Sequence, residues 1–284
     1  MLDTIQDAMT LQNGVPMPVL GVGTYQADEG GEVEQAVRWA MELGYRCIDT
    51  ASAYENEAGV GRAIRDSGVA REDIFLTTKV WNADQGRDQT ERAIDASLDR
   101  LQMDYVDLYL VHWPVENKIH ETWRAMEKIY DDGRAKTIGV SNFLQEHLRE
   151  LLNDSQTPPM INQIEFHPHL QQPELVDYCQ NQGIQVEAWS PLMKGEAFKL
   201  PELKSIGEKY GKSAGQVTLR WQLQRGIVTI PKSVRRDHLE SNAQIFDFTL
   251  SDEDVQAINA LDQGRRIGPD PVTFLETDGE PRRL

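Results

Sequence analysis

Short apolar runs alternate along the chain with longer segments in which apolar residues recur every three to four positions. Apolar positions such as Val33, Val37 and Met41 fall on one helical face, opposite a charged one. Several of these predicted helices end at a glycine that suits a left-handed terminus, such as Gly44 and Gly133. The short runs predict eight strands at 19–23, 46–48, 75–78, 105–111, 137–140, 161–166, 185–188 and 227–230.

This order of elements predicts the fold class. Strand–helix units that repeat at roughly 30 residues favour parallel strands with right-handed crossovers, and eight of them can close into a barrel. We therefore predict an α/β protein whose residues 1–284 form a single (β/α)8 TIM barrel. Asn13-Gly14 predicts a β-hairpin over 9–19, because both turn residues tolerate positive φ. Proline and glycine break the pattern beyond Asp262, so we expect 262–284 to be a substrate loop across the active-site face.

The charge balance narrows the function classes. The chain has 46 Asp and Glu against 29 Lys and Arg, a formal net charge of -17, which disfavours nucleic acid and anionic membranes as partners. An acidic surface of this kind suits concentrated salt as well as an ordinary acidic enzyme. No apolar run approaches the ~20 residues of a membrane helix, so we expect a cytoplasmic protein. We also expect a monomer, for want of an obvious partner helix.

Four reactive side chains follow three successive predicted strands. Asp49 follows 46–48, Lys79 follows 75–78, His112 follows 105–111, and Tyr54 lies five positions beyond Asp49. Each alone has a structural explanation, as a helix cap, a solvated charge, a half-buried ring or a packing residue. Active sites of such barrels lie at the carboxyl ends of the strands, so together the four predict one catalytic mouth.

The set suits proton donation to a carbonyl oxygen while hydride reaches the carbonyl carbon. A free phenol, with a pKa near 10, is a weak acid at neutral pH. Lys79 would stabilise the phenolate and Asp49 would hold Lys79 charged, which predicts a lowered pKa for Tyr54. His112 would orient the carbonyl or relay a proton. No nucleophile is paired with a base, so hydrolysis is not indicated.

Sequence motifs extend these observations over almost the whole chain. They are Leu20-Gly21-Val22-Gly23-Thr24-Tyr25-Gln26, 44–51 with Tyr54, Thr78-Lys79-Val80-Trp81, His112-Trp113-Pro114, 138–143, Asn162-Gln163-Ile164-Glu165, Trp189-Ser190-Pro191-Leu192, 230–234 and 268–271. With them the chain resembles the aldo-keto reductases, most of all the microbial branch that includes the diketogluconate reductases. The resemblance implies an oxidoreductase that reduces a small aldehyde or ketone with NAD(P)H.

The resemblance also implies roles for individual residues. Tyr54 would be the general acid, and Asp49, Lys79 and His112 would complete a catalytic tetrad. An aromatic substrate pocket would comprise Tyr25, Trp81, His112, Trp113 and Phe143. Ser141, Asn142 and Gln163 would hydrogen-bond the nicotinamide carboxamide, and Trp189 would stack on the ring. The implied cofactor-binding set is Gly23, Thr24, Asp49, Ser141, Asn142, Gln163, Trp189, Ser190, Leu192, Lys232, Ser233, Val234, Arg235, His238 and Asn242.

His238 stands where this family has an arginine that clamps the extra phosphate of NADPH. A mostly neutral imidazole forfeits a charge-assisted hydrogen bond worth about 1.5–3 kcal/mol. We expect NADPH to bind, with NADH used more readily than is usual in the family.

Other interpretations stay open or are weaker. A non-catalytic NADP(H) sensor could keep the same barrel, and an isomerase or aldolase could use Lys79 as a Schiff base. A dinucleotide-fold interpretation of Gly21-Val22-Gly23 fails because Gln26 occupies the third glycine position. Glu165, His167 and His169 share a strand face but lack a further histidine or cysteine nearby, so we expect no metal.

Overall fold

The computed structural model describes residues 2–274. Strands β1 (Ala8–Thr10) and β2 (Pro16–Pro18) pair antiparallel, with Met9 opposite Met17. Gly14 takes the turn at a φ of 85°, a left-handed conformation that glycine adopts without strain. The predicted hairpin is thus confirmed. Met17 is fully buried among Leu108, Ile161 and other apolar residues of the barrel strands, so the hairpin closes one end of the barrel.

Eight parallel strands form the barrel wall, and each pairs with its neighbours in chain order. They are β3 (Gly21–Gly23), β4 (Cys47–Asp49), β5 (Phe75–Val80), β6 (Leu108–Val111), β7 (Ile138–Ser141), β8 (Ile161–Glu165), β9 (Gln185–Trp189) and β10 (Val228–Thr229). Parallel bridges between Leu20 and Thr229 and between Gly23 and Lys232 join the first strand to the last. The predicted (β/α)8 barrel is confirmed, although β6 begins three residues later than predicted.

Helices surround the wall and turn their apolar faces to it. They are α1 (Gly31–Glu42), α2 (Glu57–Asp66), α3 (Arg87–Leu101), α4 (Ile119–Asp131), α5 (Gln145–Leu152), α6 (Pro173–Asn181), α7 (Pro201–Tyr210), α8 (Ala214–Gln224), α9 (Arg236–Ala243) and α10 (Asp252–Asn259). Val33, Val37 and Met41 of α1 are buried, as their helical spacing predicts. Within residues 2–274, no helix is long and apolar enough to cross a membrane.

The segment after α10 lies across the carboxyl ends of the strands. The backbone nitrogens of Gln263 and Arg265 donate to the His169 carbonyl at 3.2 and 2.9 Å. Those of Ile267 and Gly268 donate to Oε1 of buried Glu165 at 2.6 and 3.1 Å. This part of the predicted loop therefore covers the active-site face, and residues 275–284 of the predicted tail lie outside the described residues.

Candidate active site

The four predicted catalytic side chains meet at one mouth of the barrel. Asp49 ends β4, Lys79 is the penultimate residue of β5, and His112 directly follows β6. Tyr54 lies on the short 3-10 helix Ser52–Tyr54 that follows β4. Lys79 Nζ lies 2.7 Å from Asp49 Oδ1 and 3.2 Å from Tyr54 Oη. Because neighbouring parallel strands of a barrel end on the same side, the side chains at three strand ends form one polar cluster.

Lys79 is wholly enclosed and has its hydrogen-bonding capacity filled. An ammonium carries three hydrogens, and Lys79 Nζ has three acceptors: Asp49 Oδ1, Tyr54 Oη and the Thr50 carbonyl at 2.9 Å. Burial alone would lower the pKa of Lys79, but Asp49 and Tyr54 outweigh burial and raise it. Lys79 therefore keeps its positive charge inside the barrel.

The acid strength of Tyr54 differs from the sequence-based expectation. Burial raises the pKa of Tyr54, Lys79 opposes that rise, and Asp49 adds to it, so that the pKa stands at about 12. The prediction of a lowered pKa was wrong, because loss of hydration outweighs the neighbouring ammonium. Tyr54 is therefore a neutral phenol at neutral pH. Because Lys79 is only a donor, the phenol oxygen accepts from it, and the phenol hydrogen is left for another acceptor.

His112 completes the cluster as a neutral ring. Burial and the nearby Lys79 ammonium lower the pKa of His112 well below its usual 6.5. The imidazole stands edge-on to Tyr54, with ring centroids 5.6 Å apart, and edge-on to Trp81 at 5.1 Å. A neutral imidazole carries one N–H, so His112 can donate a single hydrogen bond without bringing a second positive charge.

An open cleft of about 960 Å³, counting its mouth, lies above this cluster. Its wall includes Tyr25, Trp81 and Trp113 of the predicted substrate pocket. The ring of Phe274, from the segment after α10, packs 4.4 Å from that of Trp113. Phe143 does not line the cleft; it is buried in the core with its ring 5.8 Å from that of His147. The structure thus brings the predicted aromatic residues together with the exception of Phe143.

A second wall is polar and tightly hydrogen-bonded. Ser141 Oγ donates to the Gln163 carbonyl at 2.9 Å. Asn142 Nδ2 donates to the His112 carbonyl and to Ser141 Oγ, at 3.0 and 3.1 Å. Trp189 Nε1 donates to Asn142 Oδ1 at 2.9 Å, which fixes the plane of the half-buried indole. Each of these four residues lines the cleft, so a flat aromatic face lies beside a row of fixed polar groups.

Glu187 is a buried carboxyl that the sequence analysis missed. It lies in β9 with no solvent exposure, and its Oε2 accepts from Gln163 Nε2 at 2.7 Å. Gln163 Nε2 also donates to Asp49 Oδ2 at 2.8 Å. Burial and then Asp49 raise the pKa of Glu187 to about 8. An acidic residue inside an apolar strand was the signal that could have revealed it.

The other end of the cleft lies near the start of α9. Lys232 lines the cleft, and its Nζ donates to the Gln26 carbonyl at 3.0 Å. Arg235 is exposed and pairs with Asp237 at 2.5 Å, and His238 is exposed in the first turn of α9. Of the remaining predicted cofactor residues, Gly23 and Ser190 line the cleft. Thr24, Leu192, Ser233, Val234, Arg235, His238 and Asn242 do not.

Five further residues line the cleft without having been predicted: Ala53, Lys194, Ile230, Gly268 and Pro269. Gly268 lies so close to the Trp189 ring that a Cβ there would come within 2.3 Å of it. Ile230, Gly268 and Pro269 lie within motifs that support the resemblance, but their place in the cleft depends on how the chain crosses the barrel mouth.

Comparison with known proteins identifies the family. The sequence profile of the Aldo/keto reductase family matches residues 19–263. The glyoxal reductase of Bacillus subtilis is 54% identical over 272 residues, which cover 96% of this chain and 99% of that protein. The putative methylglyoxal reductase DkgA of Salmonella typhi is 45% identical over 265 residues, 92% of this chain and 95% of that protein. The chain therefore belongs to the Aldo/keto reductase family.

Solved structures agree. A crystal structure of an aldo/keto reductase from Brucella melitensis has a TM-score of 0.87 at 49% identity, covering 90% of this chain and 99% of that one. A Bombyx mori aldo-keto reductase in complex with NADP has a TM-score of 0.87 at 37% identity, covering 92% of this chain and 94% of that one. The glyoxal reductase and DkgA relatives confirm the predicted resemblance to the branch with the diketogluconate reductases.

Proposed function

We propose that this chain is an NADPH-dependent reductase that converts a small aldehyde or ketone to an alcohol, with Tyr54 as the proton donor. The observation that carries the proposal is the contact of Tyr54 Oη with Lys79 Nζ at 3.2 Å, beneath the open cleft. Asp49 holds the same ammonium from the other side at 2.7 Å. Membership of the Aldo/keto reductase family supports the same reaction class.

The geometry supports a specific path for the proton. A carbonyl oxygen in the cleft takes the free phenol hydrogen of Tyr54, and the phenolate that forms lies against the charged Lys79. The charge of Lys79 is already in place before the reaction, so the enclosed site needs little reorganisation as the negative charge develops. The lowered pKa of His112 keeps its ring neutral, so the ring has a single N–H. His112 orients the carbonyl by donating this N–H to the carbonyl oxygen. General acid catalysis of this kind contributes roughly 10²–10⁴-fold to a rate.

The polar wall suits the nicotinamide end of the cofactor, which supplies hydride to the carbonyl carbon when bound. Gln163 Oε1 accepts no hydrogen bond from the described residues, and Gln163 lines the cleft. We assign the nicotinamide to Ser141, Asn142, Gln163 and Trp189. The rest of the cofactor is assigned to Gly23, Thr24, Asp49, Ser190, Leu192, Lys232, Ser233, Val234, Arg235, His238 and Asn242. The NADP bound by the Bombyx mori relative favours NADP(H) here.

NADH is proposed as a usable second cofactor because His238 replaces the usual arginine. His238 is exposed in the first turn of α9, and its neighbour Asp237 pairs with Arg235 at 2.5 Å. Lys232 and Arg235 lie in the same stretch and carry positive charges that attract the extra phosphate of NADPH. The side chain at 238 therefore favours NADPH less strongly than an arginine would.

The names of the relatives favour small dicarbonyl compounds as substrates. One relative is called a glyoxal reductase and another a putative methylglyoxal reductase. The test is a panel of glyoxal, methylglyoxal, an aromatic aldehyde and a keto-sugar, each assayed with NADPH and with NADH. We expect oxidation of NADPH by at least one dicarbonyl. Tight NADPH binding without turnover of any carbonyl would instead support the sensor.

The Schiff-base alternative fits the site poorly. A Schiff-base lysine must be deprotonated to attack a carbonyl. Lys79 has a raised pKa, donates all three hydrogens and has no solvent exposure. We therefore assign Lys79 an electrostatic role, and borohydride trapping of a carbonyl on Lys79 would contradict this assignment.

A further inference from the structure

Glu187 ends a polar chain that crosses the interior of the barrel. From β9 the chain runs through Gln163 on β8 and Asp49 on β4 to Lys79 on β5, and from there to Tyr54. Every separation in this chain between Glu187 and Lys79 is between 2.7 and 2.8 Å. A fully buried carboxyl is costly unless it makes hydrogen bonds. The single described hydrogen-bond partner of Glu187 is the Gln163 amide, so Glu187 can orient a side chain of the cleft wall only through that amide.

The Gln163 amide is held by two acceptors. An amide nitrogen carries two hydrogens, and those of Gln163 Nε2 are directed to Asp49 Oδ2 at 2.8 Å and Glu187 Oε2 at 2.7 Å. Neither hydrogen is left for a ligand. The carbonyl oxygen Oε1 of the same amide accepts no hydrogen bond from residues 2–274, and Gln163 lines the cleft. Gln163 therefore presents an acceptor, and no donor, to whatever lies there.

Both acceptors are needed for this effect. If Asp49 were the only acceptor, one hydrogen of the Gln163 amide would stay bonded to Asp49. The amide could then rotate and direct its other hydrogen into the cleft. With Glu187 as well, the two bonds fix both the plane of the amide and the assignment of its ends. If the Gln163 amide were rotated, a ligand carboxamide could accept a hydrogen bond from it through the ligand's carbonyl oxygen. The fixed Gln163 amide can only accept a hydrogen bond from the N–H of the ligand carboxamide.

The neighbouring polar groups are fixed in the same sense. Asn142 Nδ2 donates to His112 and Ser141, so its two hydrogens are also used within the protein. The Ser141 hydroxyl donates its hydrogen to the Gln163 carbonyl. The donors of all three side chains are thereby directed within the protein, which leaves acceptor atoms for a ligand that has hydrogens to give.

We infer that Glu187 is a positioning residue which locks the Gln163 amide with its carbonyl oxygen toward the cleft, and that this lock makes the site select the amide N–H of the nicotinamide carboxamide. The inference rests on the proposed function, because it takes a nicotinamide dinucleotide as the ligand. Glu187 makes no contact with the ligand in this scheme and acts through Gln163.

The protonation of Glu187 indicates the matched control. Burial and Asp49 raise the pKa of Glu187 to about 8, so the carboxyl is neutral at pH 7 and accepts through its carbonyl oxygen. A glutamine at 187 has the same size and the same acceptor. A methionine has similar length and no strong acceptor. Glu187→Gln therefore retains the lock, and Glu187→Met removes it.

The test compares NADP⁺ with its 3-acetylpyridine analogue, in which a methyl group replaces the carboxamide NH₂. Dissociation constants come from quenching of tryptophan fluorescence in the apo protein at pH 7. We expect the wild type and Glu187→Gln to prefer NADP⁺ by about tenfold, the size of one hydrogen bond. We expect the preference of Glu187→Met to fall within about twofold of unity. In a Gln163→Met background, Glu187→Met should change the ratio no further.

A Glu187→Met protein that folds and keeps the wild-type ratio would overturn the inference, and so would a wild type without any preference. Thermal melting of the apo proteins reports folding, and Glu187→Leu replaces Glu187→Met if the latter does not fold. Failure of the proposed function is seen separately, as binding of NADPH without its oxidation by any carbonyl.

Discussion

Lys79 lies 3.2 Å from the phenol oxygen of Tyr54, yet the pKa of Tyr54 is raised to about 12. Burial causes the rise, because it removes water from the phenol and this loss outweighs the opposing effect of Lys79. The ammonium does not ionise Tyr54 at rest; it is placed where a phenolate charge would appear. Such an arrangement keeps the donor protonated at neutral pH and lowers the cost of proton transfer only when a carbonyl oxygen takes the proton.

Replacement of Tyr54 by phenylalanine removes this donor. We expect kcat of Tyr54→Phe to fall by about 10²–10⁴-fold, while the Kd for NADPH changes little. Steady-state rates with methylglyoxal or an aromatic aldehyde and a fluorescence titration with NADPH measure the two quantities. Tyr109→Phe is the matched control, because Tyr109 is buried, its hydroxyl has no partner among the described residues, and it belongs to the core cluster around the barrel. An undiminished kcat in Tyr54→Phe would rule out the proposed proton donor.

An arginine at position 238 should increase the preference of the protein for NADPH over NADH. We expect His238→Arg to raise the NADPH over NADH ratio of kcat/KM by roughly ten- to a hundredfold, since it regains a charge-assisted bond to the extra phosphate. His238→Gln, which adds no charge, should leave the ratio near that of the wild type. A wild-type preference for NADPH already beyond about a thousandfold, some 4 kcal/mol, would mean that other side chains replace the missing arginine.

The fold could be predicted from the sequence because the information is local and repeated. Eight short apolar runs alternate with amphipathic segments, and few architectures accommodate that order. The convergence of Asp49, Lys79 and His112 follows from the same topology, since in a parallel barrel every strand ends on the same side. The start of β6 was predicted three residues too early, because only an isolated bridge joins Val106 to Ala135 before the strand begins at Leu108.

What could not be predicted depends on burial and on side-chain direction. The pKa of Tyr54 follows from competition between lost hydration and a neighbouring charge, and the sequence indicates the charge alone. Phe143 follows a site strand, as Trp113 does, but its side chain turns into the core. Glu187 is visible as an acid inside a strand, yet only the closed barrel shows that it meets Gln163.

The acidic surface leads to a prediction about salt. Exposed pairs such as Arg236–Glu42, at 2.5 Å, are worth about 0–1 kcal/mol each and weaken when salt screens them. The net charge of -17 leaves a surplus of carboxylates whose mutual repulsion is also screened. We expect the second effect to dominate and the Tm to rise between dilute buffer and molar KCl.

Substitution of the exposed acids in Glu208→Gln and Glu240→Gln should make that rise smaller. A Tm that stays constant or falls between dilute buffer and molar KCl would count against adaptation of the surface to salt.

The buried carboxyl of Glu187 should make stability depend on pH. Its pKa is raised from 4.5 to about 8 in the folded protein, so the folded state holds a proton that the unfolded chain releases between these values. The stabilisation is complete below pH 4.5 and is lost as the pH rises toward 8, by up to about 1.4 kcal/mol per pH unit.

The variant Glu187→Gln cannot ionise at position 187, so it does not lose this stabilisation. The free energy of unfolding is measured with urea for both proteins. The value for Glu187→Gln minus the value for the wild type should increase between pH 5 and pH 8, by several kcal/mol at most. Asp49, Lys79 and Cys47 face Glu187 from β4 and β5 and are present in both proteins. A difference between the two proteins that is the same at pH 5 and pH 8 would show that Glu187 is already ionised in the barrel, where a second carboxylate beside Asp49 would have to be stabilised by Lys79.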